Sequence, residues 1–220
     1  MDESHRLRES AGAEELPGPR SARGAGFQVV AMVSSAGGIS ALSKVLAGLD
    51  ASFSASVLVV QHLDPRHESL MADILNRRTP LQVIQARDGE ALEPGVVYVA
   101  PPDRHLLVNP DRHMHLSQSE LVHFLRPSGD LLFESVAAVY RERAVGVVLT
   151  GTGSDGALGV QGIKKVGGTV IAQDQASSEF FGMPGAAIKT GVPDFVLPLE
   201  EIARALNMLV MGEAPGWGDG

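Results

Sequence analysis

The 220-residue chain contains no cysteine. That excludes disulfide staples and thiolate chemistry of any kind, while leaving the compartment open. Basic residues are in deficit: 18 Lys and Arg stand against 26 Asp and Glu, a formal net charge of -8. A chain of that sign is a poor partner for a phosphate backbone, so no nucleic acid is expected. No apolar run approaches the roughly 20 residues that a membrane-spanning helix needs. The N-terminus carries charges and no apolar core, so it does not read as a secretory signal. Internal repeats and a second domain are also missing. These absences point to a cytoplasmic protein with no direct membrane insertion.

What is present is enough chain for one α/β domain with a substantial core. The central stretch is Val145 to Ala157, V-G-V-V-L-T-G-T-G-S-D-G-A. Val145 to Thr150 is a short β-branched run, Gly151, Gly153 and Gly156 punctuate the turn, and Leu158, Val160 and Ile163 begin a helical period. This reads as strand, tight turn, helix, with Asp155 in or just before the first helical turn. The carboxyl edge of such a strand is where ligands bind in open α/β sheets.

The rest of the chain repeats that alternation. Residues 1–26 are polar, contain Pro17 and Pro19 and read as a disordered tail. Phe27 to Val33 is a buried strand, Ser34 to Gly38 a turn, and Ile39 to Leu49 a helix with Leu42, Val45, Leu46 and Leu49 on one face. Ser56 to Gln61 is a second strand, followed by His62 and a short helix from Glu68 to Arg77. Leu81 to Ala86 is a third strand. Between Asp88 and Leu116, short alternating runs separated by Pro94-Gly95, Pro101-Pro102 and Asn109-Pro110 predict β-hairpins inserted in the α/β plan. Asp130 to Arg143 is a helix with Ser128 as its cap. Thr169 to Gln173 is a strand, Phe180 to Ile188 irregular or helical, Phe195 to Leu197 an edge strand, and Leu199 to Met211 a last helix. The expected domain is therefore 27–211, with 212–220 a tail. Strands alternating with helices predict a doubly wound, mostly parallel, Rossmann-like three-layer sheet.

Ser35, His62 and Asp155 each lie just beyond a predicted strand end, so one sheet brings them to one edge. Serine, histidine and a carboxylate are the groups nucleophilic acyl transfer needs: the imidazole takes the hydroxyl proton, and the carboxylate fixes its tautomer. Backbone N–H groups at Ala36 and near Thr152 are candidates for an oxyanion hole. Each residue also has a plain reading, as turn residue, loop histidine or helix-dipole partner. A rival comes from the same stretch. Gly151 to Gly156 matches G-x-G-x-x-G, and Asp174 stands where a ribose-binding carboxylate is expected, which is a dinucleotide fingerprint for an oxidoreductase. Against it, Asp155 puts negative charge where the pyrophosphate belongs. His113 and His115, with His105 and His123 nearby, lack a complementary ligand set and read as a solvated hairpin, so neither a metal nor any other cofactor is expected.

At these residues the chain resembles the catalytic domain of the bacterial chemotaxis protein-glutamate methylesterases, the CheB family. The resemblance runs from about Phe27 to about Val210. It rests on V-V-Q-H at Val59 to His62, D-G-E at Asp88 to Glu90, P-G-V-V-Y-V-A-P at Pro94 to Pro101 and R-P-S at Arg126 to Ser128. It continues with L-F-x-S-V-A at Leu132 to Ala137, L-T-G-x-G-x-D-G-A at Leu149 to Ala157 and F-G-M-P at Phe181 to Pro184. It implies hydrolysis of glutamate methyl esters on a methylated chemoreceptor or receptor-like protein, and deamidation of some glutamines. It also implies Ser35 as nucleophile, His62 as base and Asp155 as the orienting carboxylate. A catalytically weakened adaptor on the same fold is the other alternative. The chain departs from the family pattern at Val33, usually glycine, at Ala36, usually a hydroxyl residue, at Thr152, usually methionine, and in the longer Leu63-Asp64-Pro65 run. Only about 26 residues precede the first strand, too few for the receiver domain of full-length members, so a stand-alone esterase, constitutively active or regulated by another chain, is expected. The oligomeric state stays open.

Overall fold

The computed structural model describes residues 28–63 and 69–212. The tails expected at 1–26 and beyond Gly212, Phe27, Glu68 at the expected start of the second helix, and Asp64-Pro65 of the longer run lie outside the described residues.

Six-residue runs such as V-V-A-M-V-S are buried at every position in β1 (Val29–Ser34) and β2 (Ser56–Gln61). That pattern belongs to strands covered on both faces, as parallel strands are. The other sheet strands are β3 (Gln82–Gln85), β4 (Val96–Val99), β7 (Ala144–Val148), β8 (Thr169–Gln173) and β9 (Phe195–Leu197). They form one seven-stranded sheet in the order β3-β4-β2-β1-β7-β8-β9, parallel at every pairing. The helices are α1 (Gly38–Ala47), α2 (Met71–Asn76), α3 (Gly129–Tyr140), α4 (Gly159–Lys165), α5 (Gly182–Lys189) and α6 (Leu199–Met211). Strand side chains alternate between two apolar layers. Val30, Met32, Val57 and Val59 meet α1 and α6 on one face. Ala31, Val33, Leu58 and Val60 meet α3 and α4 on the other.

The hairpin expectation is half corrected. Val96–Val99 pairs in parallel with both β2 and β3 and is part of the main sheet. A hairpin does form from β5 (His105–Val108) and β6 (Met114–Ser117). The predicted third helix ends early: Arg141, at a φ of 52°, breaks it, and Arg141–Arg143 continue as a 3₁₀ turn. The helix after the central turn starts later than expected, at Gly159, leaving Leu158 exposed and Asp155 in the turn itself.

Candidate active site

The register of the three central strands sets the site. Ser34 faces Gln61 across β1 and β2, and Val33 faces Val148 across β1 and β7. Ser35, His62 and the turn after β7 therefore leave the sheet side by side, as their sequence positions predict.

Ser34 and Ser35 are used differently. The buried Ser34 hydroxyl donates to Gln61 Oε1 at 2.7 Å. Gln61 Nε2 donates in turn to the carbonyls of Ser35 at 2.8 Å and His62 at 3.0 Å, so one amide ties two strand ends together. Ser35 is half-buried. Its N–H donates to the Thr150 carbonyl at 3.0 Å, but its hydroxyl makes no hydrogen bond to a described residue. Gly37, at a φ of 75°, takes the left-handed turn that starts α1, a conformation open to glycine at little cost. The N–H groups of Ala36 and Thr152 find no acceptor among the described residues.

His62 Nε2 lies 2.8 Å from Asp155 Oδ2, and the two side chains are 11% and 1% exposed. Asp155 also accepts from the Ser128 hydroxyl at 2.9 Å, the Gly129 N–H at 2.5 Å and the Asp130 N–H at 3.1 Å. Each carboxylate oxygen thus receives two donors, and two of the four are amides at the N-terminus of α3, where a negative charge is stabilised. Burial by itself would raise the Asp155 carboxyl. The hydrogen bonds from His62 and Gly129 outweigh it and hold the group below the usual carboxylate value. An ionised Asp155 only accepts, so His62 Nε2 carries the proton and Nδ1 is left as the basic nitrogen. A side chain at Gly129 would place its Cβ 2.4 Å from Val33 Cγ2 and 3.1 Å from Asp155 Oδ2. Glycine here lets the amide reach the carboxylate, and Val33 supplies the wall beneath.

Ser128, expected as a cap, makes no capping bond through its side chain. The cap of α3 is Asp155 instead, and the exchange is reciprocal: Asp130 Oδ1 accepts the N–H groups of Leu158 at 3.0 Å and Gly159 at 2.8 Å, which open α4. Burial raises the Asp130 carboxyl, and its Oδ2 has no partner among the described residues.

The dinucleotide reading is corrected by this arrangement. The α4 amides that would take a pyrophosphate already hold the Asp130 carboxylate, and Asp174 closes a local turn onto Ser177.

His105, expected in a solvated hairpin, is fully buried. Its Nδ1 accepts the Ser128 N–H at 3.1 Å and its Nε2 bonds the Glu120 carbonyl at 3.1 Å. Burial holds this imidazole below its ordinary value of 6.5. His115 pairs with Asp88, and His113 contacts Asp111. Among the described residues no group of three histidines or carboxylates is placed to hold a metal ion. The supporting residues Gln61, His105, Ser128, Gly129 and Asp130 were not assigned to the site from sequence. The R-P-S-G-D run was the available signal, and it reads as an ordinary helix start.

Two shifted groups give an acid-stability prediction. A folded-state pKa below the unfolded one contributes stability at higher pH that is lost on acidification. His105 contributes above 6.5 and Asp155 above 3.8, each losing its share as the pH falls through its lowered folded value. Asp130, shifted upward, makes the decline shallower. Melting temperature against pH should therefore fall in two stages. His105→Gln, which keeps an acceptor for Ser128 and a donor for Glu120, should remove the upper stage; a wild-type curve flat down to about pH 4 would contradict the assignment.

The comparisons with known proteins give the family. Residues 30–206 match the family model described as CheB methylesterase. The chain belongs to the CheB methylesterase family. It is 43% identical over 180 residues to protein-glutamate methylesterase/protein-glutamine glutaminase 2 of Caulobacter vibrioides, covering 80% of this chain and 52% of that one. It is 42% identical over 209 residues to the Moorella thermoacetica protein-glutamate methylesterase/protein-glutamine glutaminase, covering 92% and 48%. The chain thus spans about half the length of these curated relatives. The CheB methylesterase catalytic domain of Thermotoga maritima superposes with a TM-score of 0.81 at 36% identity, over 84% of this chain and 100% of that domain. The oxidoreductase alternative finds no support in these likenesses to CheB proteins.

Proposed function

We propose that the chain is a serine hydrolase that releases methanol from glutamate methyl esters of a chemoreceptor-like protein in the cytoplasm. The observation that carries this is the His62–Asp155 pair at 2.8 Å, with Ser35 just past the end of the adjoining strand and its hydroxyl free of hydrogen bonds to described residues. Names given to the relatives supply the substrate class.

Ser35 attacks the ester carbonyl while His62 Nδ1 takes its proton. Asp155 holds the imidazole in that tautomer and stabilises the imidazolium. The N–H groups of Ala36 and Thr152 receive the oxyanion. Methoxide leaves as methanol with the proton from His62, and water then frees the glutamate by the same route in reverse order. A glutamine side chain would lose ammonia through the same steps.

Methanol release from a methylated chemoreceptor fragment tests the reading. His62→Gln, which removes the basic nitrogen, should lower kcat/KM by roughly 10²- to 10⁴-fold, the usual share of a positioned general base. A His62→Gln enzyme with unchanged kcat/KM would remove His62 from the role of base. Receptor binding without methanol would reduce the chain to an adaptor.

A further inference from the structure

One residue beside the site has no role in the chemistry. Phe124 is 94% exposed, the highest value among the large hydrophobic side chains of the described residues, and Leu121 in the same loop is 52% exposed. Phe124 sits at the tip of a two-residue turn closed by hydrogen bonds between Val122 and Leu125 at 3.1 and 2.8 Å. The two central residues, His123 and Phe124, have φ values of 49° and 65°. Turns with positive φ at both central positions favour Asn-Gly, because side chains crowd the backbone there. Neither His123 nor Phe124 serves the turn, and a bulky residue held at positive φ in the open points to use by something outside the chain.

The loop is also braced. The Arg126 guanidinium donates to Asp103 Oδ1 at 2.9 and 2.6 Å and to the Ser119 carbonyl at 2.8 Å. His105 ties Glu120 to Ser128. The phenyl ring therefore stands on a fixed base. Four residues on, Ser128 bonds Asp155, so the Phe124 and Ser128 Cα atoms are at most about 14 Å apart. That is about two and a half helical turns at 5.4 Å each.

We propose that Phe124 is a docking knob that seats the methylated receptor on the enzyme, entering an apolar recess of that protein while its ester lies at Ser35. This rests on the esterase reading and adds a contact that a small ester does not reach. An exposed aromatic that becomes buried at the centre of a contact is the usual form of a binding hot spot.

The experiment measures three things for wild type, Phe124→Ser and Phe124→Gly: equilibrium binding of a methylated chemoreceptor signalling fragment, methanol release from it, and hydrolysis of p-nitrophenyl acetate. Binding and receptor kcat/KM should fall roughly 10- to 50-fold in both variants, with the small ester unchanged. Phe124→Gly should also melt about 2 to 4 °C higher, because glycine accepts the turn without strain. Equal receptor binding by wild type and variants overturns the knob, as does wild type that does not bind the fragment. Binding lost in the variants while wild type releases no methanol keeps the knob and removes the esterase reading. An equal loss on p-nitrophenyl acetate would make the residue a support of the chemistry and also overturn the proposal.

Discussion

Asp155→Asn should lower kcat by a factor on the order of 10⁴, as loss of the tautomer-fixing carboxylate does in serine proteases. It should also destabilise the fold, because of how the carboxylate is held. Oδ1 accepts the Asp130 N–H and Oδ2 the Gly129 N–H. An asparagine has one acceptor oxygen, so whichever way it turns, its NH₂ meets a backbone donor. Leaving a buried donor without an acceptor costs about 1–3 kcal/mol, read as a fall of roughly 2 to 10 °C in melting temperature. Ser128→Ala is the control: it removes one donor to Asp155, should leave both amides and His62 in place, and should cost far less in rate. Turnover within tenfold of wild type for Asp155→Asn would exclude the orienting role.

The second large effect separates two adjacent serines. Ser35→Ala should reduce turnover by several powers of ten, the outcome of removing the nucleophile from such a triad, and should leave stability unchanged, since the hydroxyl bonds to no described residue. Ser34→Ala should show the opposite pattern. It strips Gln61 Oε1 of its hydroxyl donor in a fully buried pocket, costing about 1–3 kcal/mol, while the rate drops only as far as the strand ends loosen. Paired melting and methanol-release measurements decide between them. An active Ser35→Ala enzyme, or an inactive but stable Ser34→Ala one, would move the nucleophile.

Strands buried on both faces announce themselves as continuous apolar runs, and β2 and β8 fall on the residues expected, Ser56–Gln61 and Thr169–Gln173. Short runs do not reveal their neighbours. Val96–Val99 is four residues long and follows Pro94-Gly95, which is equally a hairpin signal; only pairing with β2 and β3, distant in sequence, makes it a sheet strand. The edge that gathers Ser35, His62 and Asp155 was legible because parallel strand ends point one way. The shell around them was not. Ser128 has the backbone angles of a cap, yet its hydroxyl goes to a carboxylate 27 positions away. His105 looks like any histidine of a short polar hairpin until packing seals it beneath the loop that precedes α3.

The exchange of caps between Asp155 and Asp130 ties the chemistry to helix docking. Asp130, in α3, stands at the start of α4, and Asp155, in the turn before α4, stands at the start of α3. Parting α3 from α4 would strip both helix ends at once and draw the carboxylate off the imidazole. Opening between the two helices is therefore expected to cost both caps together. A molecule in which the two helices have parted has no partly working site, because the event that frees the helices also separates Asp155 from His62.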